Sequence, residues 1–406
     1  VADKKIQEIY PLIGDALDPE GGISHREVQI IDGNTIIVQR YNRISGKIEA
    51  IVLKRTGGKW TSGRDFSQNG ERRLKILVKQ GLNIPNDVFV VDLHTGVEHP
   101  LTNLNEYLKD VKFGKAVEIH WNDKHGGERV GALIFPVDYK QGKRYPLVLQ
   151  LRGYFPGEFV VNGYGAVTAP FAARPLASRG IMVLQFGITP LNRPSSGMDK
   201  LFDDASDAVE SAVAYLDRSG LIDPDRVGLT GWSASASPVQ FVLTFSDTKI
   251  AASIIADGVS ASMFGYANFF GFIRPGMNYV ETLYKGAKPW GDTLQTWVKN
   301  NYTFHLDKID TPILFHHYIS GAQNGWWDVY AILRRMGKPV EQWIYPDGEH
   351  SPLRPDQFMH AVQMVVDWYD YWLQNHMDQP SVRAEQYHRW QKMSENFSHK
   401  LTRNVE

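Results

Sequence analysis

The chain has 406 residues, with 44 basic and 45 acidic side chains and a formal net charge of -1, so no charge excess points to nucleic acid or to an anionic membrane. No apolar run approaches the roughly 18 residues that a membrane span needs. The absence of cysteine excludes disulfides, thiol nucleophiles and cysteine metal sites, and fits cytoplasm or periplasm alike.

With 43% hydrophobic and 22% charged residues the chain reads as globular, and its length suggests two domains. The 12% aromatic share suits a deep core or a surface that grips peptides or sugars. No signal peptide is visible at Val1, and a start other than Met fits a processed or partial product.

The first elements are strands. "VQIIDGNTIIVQRYN" carries Asp32-Gly33-Asn34 between two apolar runs, a hairpin signal. "VFVVDLHTGVEHPLT" repeats the pattern around Thr95-Gly96. This grammar predicts antiparallel strands before Val117, too few for a β-propeller of about four or more four-stranded blades. From about Val117 onward, strand-like runs at "GALIFPV", "LVLQL", "IMVLQF", "RVGLTG", "ASIIAD", "PILFHHYI" and "VEQWIYP" alternate with helical segments. Alternation of this kind predicts a mainly parallel sheet with helices on both faces. In "DDASDAVESAVAYL" the residues Ala208, Ala212, Val213 and Leu216 recur at helical spacing. The tail "AEQYHRWQKM" predicts one more helix, packed outside.

"GWSAS", Gly231 to Ser235, lies between a strand and a helix and reads as the G-x-S-x-G nucleophile elbow, with Ser235 at the fifth position in place of glycine. Ser233 would sit at a helix N-terminus, where free N–H groups favour an anion. The ordinary alternative is a serine N-cap. A serine nucleophile needs a base. His350, in the loop "IYPDGEHSPLRP" and 117 residues downstream, falls where an α/β-hydrolase carries its histidine.

The orienting acid commonly follows the strand "PILFHHYI", where Asp328 is the acid on offer; Asp257, after "ASIIA", is the second choice. The competing reading of Asp328 is a first-turn acid that complements a helix dipole. Trp326 and Trp327 would wall an Asp328–His350 pair from water. Oxyanion donors are expected from Ala234 and from the loop Arg152-Gly153-Tyr154, with Trp232 beside them on the substrate side; Arg152 could instead hold a substrate carboxylate. His316 and His317 point to opposite strand faces and suit structure better than a shared metal. No metal or cofactor is expected. Asn301-Tyr302-Thr303 and Asn396-Phe397-Ser398 match the glycosylation pattern, as short stretches do by chance.

"GERVGALIFPVDYKQGKRYPLVLQLRGYFP", "PLASRGIMVLQF", "GLIDPDRVGLTGWS" and "RRMGKPVEQWIYPDGEHSP" resemble the catalytic domain of prolyl-oligopeptidase-type serine peptidases, and "FVLTFSDTKIAASIIADGVSAS" with "FGYANFFG" resembles the lasso peptide isopeptidase branch. The resemblance implies an α/β-hydrolase fold over residues 116–376, preceded over 1–115 by a cap like the last part of a β-propeller and followed over 377–406 by a helical tail. It also implies Ser233 as nucleophile, His350 as base and a peptide as substrate, and leaves room for a missing amino-terminal propeller segment. One departure stands out: the position where the isopeptidases carry their acid falls on Ala322. Two rival functions follow, an esterase on the same machinery and a hydrolase-fold protein that only binds.

Overall fold

The structure is a computed structural model and describes residues 23–42, 47–63, 74–92, 95–151, 154, 157–159, 170–191, 198–269, 279–319, 321–378 and 383–403. Two compact units emerge: residues 1–75 with 91–97, and residues 76–90 with 98–406. The first holds an antiparallel sheet in the order β1 (Ile23–Asp32), β2 (Thr35–Asn42), β3 (Lys47–Thr56), β4 (Lys59–Gly63). Asp32 pairs with Thr35 across the hairpin foreseen at Gly33-Asn34. A three-stranded sheet follows, β5 (Leu74–Gly81), β6 (Ile84–Asp92) and β7 (Glu98–Pro100).

Within the second unit, the turn between β5 and β6 is fastened to the main sheet. The Asn83 amide exchanges two 2.8 Å hydrogen bonds with the backbone of Ala116. Buried Arg174 donates to the carbonyls of Gly114 and Leu82. The unit boundaries therefore fall earlier in the chain than the change of sequence pattern near Val117 suggests.

The main sheet comprises β8 (Ala116–Asn122), β9 (Glu128–Ile134), β10 (Tyr145–Leu151), β11 (Met182–Phe186), β12 (Ile222–Trp232), β13 (Ala252–Ala256), β14 (Ile313–His317) and β15 (Val340–Ile344). Its order is β15-β14-β13-β12-β10-β11-β9-β8. The β8–β9 and β9–β11 pairs are antiparallel, and the others are parallel. This is the α/β-hydrolase arrangement. Helices among the described residues are α1 (Ala173–Ser178), α2 (Leu201–Arg218), α3 (Ala236–Phe245), α4 (Met263–Phe269), α5 (Tyr279–Leu283), α6 (Leu294–Asn300), α7 (Ala322–Arg335), α8 (Pro355–Gln374) and α9 (Ala384–Arg403).

Burial on both faces explains the continuous apolar runs. In β10, Leu147, Leu149 and Leu151 enter one core with Phe202, Ala208, Ala212 and Leu216 of α2. Val148, pointing the other way, enters the second core with Val365, Trp368 and Tyr369 of α8. No described helix is long and apolar enough to cross a membrane.

Parallel order matters for function because it brings the carboxyl ends of β10, β12, β13 and β14 to one edge of the sheet, where loops can converge. Asn301, the first glycosylation match, is fully buried. Its side chain donates to the Ala261 carbonyl at 3.1 Å and accepts from the Thr303 amide at 2.9 Å, so it braces a loop and is closed to a glycan in the folded chain.

The tail helix α9 is integral to the second core. Trp390 is fully buried, meets Trp368 edge to face at 5.2 Å and donates its indole N–H to Glu341 of β15 at 2.5 Å. Trp390→Ala should cost about 3–5 kcal/mol of unfolding free energy by guanidinium titration. A loss below about 1 kcal/mol would mean that the tail frays independently of the sheet.

Candidate active site

Ser233 stands where β12 turns into α3, at φ +57°. Residues with a Cβ rarely occupy this left-handed region, so surrounding contacts must hold it. Two glycines supply the room. A Cβ on Gly231 would lie 2.6 Å from both the Ser235 carbonyl and a Val239 methyl; one on Gly258 would lie 2.2 Å from the Ala236 Cβ and 2.4 Å from the Ser233 carbonyl. Close approach is thus assigned to Gly231 and Gly258, and the fifth motif position is free to change. Ser235 has φ -91°, which any residue adopts. Its hydroxyl accepts from the Trp232 amide at 3.0 Å and donates to the Trp232 carbonyl at 2.9 Å.

His350 arrives on the loop after β15. Its Nε2 lies 2.9 Å from Ser233 Oγ, and its Nδ1 lies 2.5 Å from Oδ2 of Asp257. That pairing puts the ring proton on Nδ1 and leaves Nε2 to accept from the serine. Asp257 follows the last residue of β13 at φ +40° and is 3% exposed. Its other oxygen accepts from the Tyr318 and Ile319 amides at 3.0 and 2.9 Å, and its own amide donates to the His316 carbonyl at 3.0 Å. Both carboxylate oxygens are therefore engaged, which fixes the group's orientation.

The second-choice acid, then, is the one beside the base. Asp328, the first choice, lies elsewhere: its carboxylate accepts from the Ser262 hydroxyl at 2.9 Å, the Phe264 amide at 3.0 Å and the Val329 amide at 2.8 Å. It ties the segment after Asp257 to α7. Burial pushes its carboxyl above the usual range, against the pull of those hydrogen bonds. The physical reason for the exchange is topological. β13 and β14 are parallel neighbours, with Ala256 opposite His316, so either strand end can present an acid to the loop after β15. Ala322 opens α7 and offers no carboxylate. Of the two tryptophans foreseen as walls, Trp326 is buried and donates to the Gly258 carbonyl at 2.7 Å, while Trp327 is exposed.

Trp232, expected on the substrate side, is instead 5% exposed, with its ring stacked on His350 at 4.6 Å between centroids and 22° between planes. Ala234 is exposed beside Ser233, where its amide could face a developing oxyanion. The Tyr154 hydroxyl is already engaged: it donates to Glu118 Oε2 on β8 at 2.6 Å. Four strand spacings separate β8 from β12, about 19 Å at ~4.8 Å each. Burial and Glu118 also hold the Tyr154 phenol well above its ordinary pKa. Arg152 and Gly153 lie outside the described residues. His316 is bonded to Tyr318 and Tyr345, and His317 to Gln342; burial holds both imidazoles below their usual range.

The sequence contained a signal for Asp257 that position-based reasoning underweighted: an acid at a strand's carboxyl end, followed at once by a glycine. No sequence pattern announced the contact between Trp232 and His350, because it joins residues 118 apart.

A strained serine, a histidine and a buried carboxylate in hydrogen-bonded line can activate a hydroxyl for attack on a carbonyl. Comparisons with known proteins agree with this geometry. Residues 199–376 match the model of the prolyl oligopeptidase family. Lasso peptide isopeptidase AtxE2 of Asticcacaulis excentricus is 28% identical over 345 residues, covering 80% of this chain and 47% of that protein. Dipeptidyl-peptidase 5 of Porphyromonas endodontalis is 23% identical over 326 residues, covering 73% and 43%. The chain thus spans about half the length of these relatives. Among solved structures, the AtxE2 isopeptidase without ligand superposes with a TM-score of 0.66 at 23% identity, over 92% of this chain and 56% of that one. The acylaminoacyl peptidase of Pyrococcus horikoshii gives 0.61 at 17%, over 90% and 59%. Residues 199–376 are thus similar to the prolyl oligopeptidase family, in a chain that resembles the lasso peptide isopeptidase.

Proposed function

We propose that this chain carries the hydrolase part of a serine peptidase that cleaves peptide or isopeptide bonds through an acyl-enzyme. The observation that carries the reading is the unbroken line Ser233–His350–Asp257, with contacts of 2.9 and 2.5 Å. In this reading Ser233 Oγ attacks the scissile carbonyl as its proton passes to His350 Nε2. Asp257 holds the imidazole in the required tautomer and stabilises the imidazolium that forms. The Ala234 amide stabilises the oxyanion. The imidazolium then protonates the leaving amine, and a water activated by the same base releases the acyl group. The family match and the peptidase names of its relatives support an amide over a simple ester as the substrate. A protein that only binds was favoured by the missing acid at Ala322; a carboxylate already on His350 removes that motive.

Two experiments test the assignment. Ser233→Ala and His350→Ala should each lower turnover of a peptide amide by on the order of 10⁶, as loss of one member of such a pair does. A fluorophosphonate probe should label the unmodified chain at Ser233 and leave Ser233→Ala unlabelled. Absence of labelling in the folded, unmodified chain would sink the hydrolase reading.

The two acids should separate cleanly. Asp257→Asn should favour the wrong tautomer and reduce kcat by about 10⁴. Asp328 lies in the second turn of α7, not in its first turn as expected of a helix-dipole acid, and Asp328→Asn, which alters only its brace to Ser262 and Phe264, should keep kcat within a few-fold. The reverse ranking would return Asp328 to the catalytic role.

A further inference from the structure

The pair Trp232 and Ser235 has a geometry that the proposed chemistry does not yet use. Trp232 makes two contacts with His350 at once. Its indole lies nearly parallel to the imidazole, 4.6 Å away and tilted by 22°. Its indole N–H donates to the His350 carbonyl at 3.2 Å. One side chain thus fixes both the ring and the backbone of the base. Little else in its own loop does so: the histidine's side chain is 45% exposed, and the loop runs through Asp347, Gly348 and Glu349, all outside regular structure. Trp232 itself is 5% exposed, so its ring has few other orientations open to it.

Ser235 then fixes Trp232. Its hydroxyl bridges the amide and the carbonyl of that one residue, at 3.0 and 2.9 Å, and is itself 1% exposed. A glycine at the fifth motif position would lack both bonds. The substitution that departs from the motif is therefore the one that locks the residue carrying the base.

We propose that Trp232 is a positioning residue for His350 and that Ser235 acts through Trp232, the two forming a clamp that sets the height and tilt of the imidazole over Ser233. This rests on His350 being the base. The carboxylate of Asp257, bonded to Nδ1 from the end of β13, holds the ring from its other side.

The test is a set of variants assayed for kcat, KM and the fraction folded, with His350→Ala in parallel. Trp232→Leu should lower kcat about 10- to 100-fold with KM within twofold, since substrate does not meet the buried indole. Trp232→Phe keeps a stacking ring and should restore kcat to within a few-fold of the unmodified chain. Ser235→Ala should lower kcat a few-fold in the unmodified chain and have no further effect in Trp232→Leu, because both act through one contact. The clamp is overturned if Trp232→Leu raises KM as much as it lowers kcat, if its loss of kcat equals its loss of folded protein, if Trp232→Phe is no better than Trp232→Leu, or if the Ser235 effect adds in full to that of Trp232. Near-normal turnover in His350→Ala would instead overturn the identity of the base, a different failure that these measurements separate from the first.

Discussion

The left-handed backbone of Ser233 is the constraint from which the site is built. A serine at φ +57° holds its hydroxyl clear of both the strand it leaves and the helix it starts. Such a conformation costs of order 1–3 kcal/mol and persists only where neighbours over-determine it. Here they do. Gly231 lets the Ser235 carbonyl and Val239 close in from the helix side, and Gly258 lets the chain after β13 pass against the Ser233 carbonyl. The same close passage that forces the serine outward therefore brings Asp257, the residue before Gly258, to the site. Ser233 and Asp257 are set by one packing event rather than two.

Once the acid comes from β13, the roles of the neighbouring elements follow. The segment from Gly258 to Phe264 must stay still, and it is held from several sides. Trp326 bonds the Gly258 carbonyl, Ser237 receives the Ala261 amide, Asn301 bonds the Ala261 carbonyl, and Asp328 gathers Ser262 and Phe264. Asp328 is thus part of the support for the segment that follows Asp257. The buried His316 belongs to the same support, since its carbonyl takes the Asp257 amide while its ring is occupied by Tyr318 and Tyr345. An acidic or imidazole side chain near a proposed active site is not thereby a participant; its partners decide.

How much of this was legible in the sequence depended on the range of the interaction. Most of the sheet could be read because its central strands announce themselves locally, through apolar runs buried on both faces, whereas the edge strand β8, alternately buried and exposed, is not singled out by such a run. The hairpin at Gly33-Asn34 and the elbow at Ser233 are local too, each fixed by a few adjacent residues. That His350 lies beside Ser233 could be read because chain order in this fold is informative. The acid could not be ranked: β13 and β14 both end beside the loop of His350, and only the register of Ala256 opposite His316 and the bonds around Asp257 distinguish them. The partner of Tyr154 was hidden for a similar reason. The loop of Tyr154 begins beside the elbow, but Glu118 lies on β8 at the far edge of the sheet and captures the hydroxyl, a pairing of residues 36 apart that no spacing rule anticipates.

The fifth motif position shows how such a rule can be broken without loss. Glycine there serves two physical purposes: freedom of backbone angle and room for close packing. Ser235 needs neither, because its φ is ordinary and the tight contacts fall on Gly231 and Gly258. A Cβ is therefore tolerated, and with it a hydroxyl. In a buried position an unpaired hydroxyl would be destabilising, so it must find partners, and the nearest are the amide and carbonyl of Trp232. The departure from the motif thus creates a bond to the one residue that touches both the ring and the backbone of His350. A position that the motif reserves for compactness has become a second point at which the sequence governs the base.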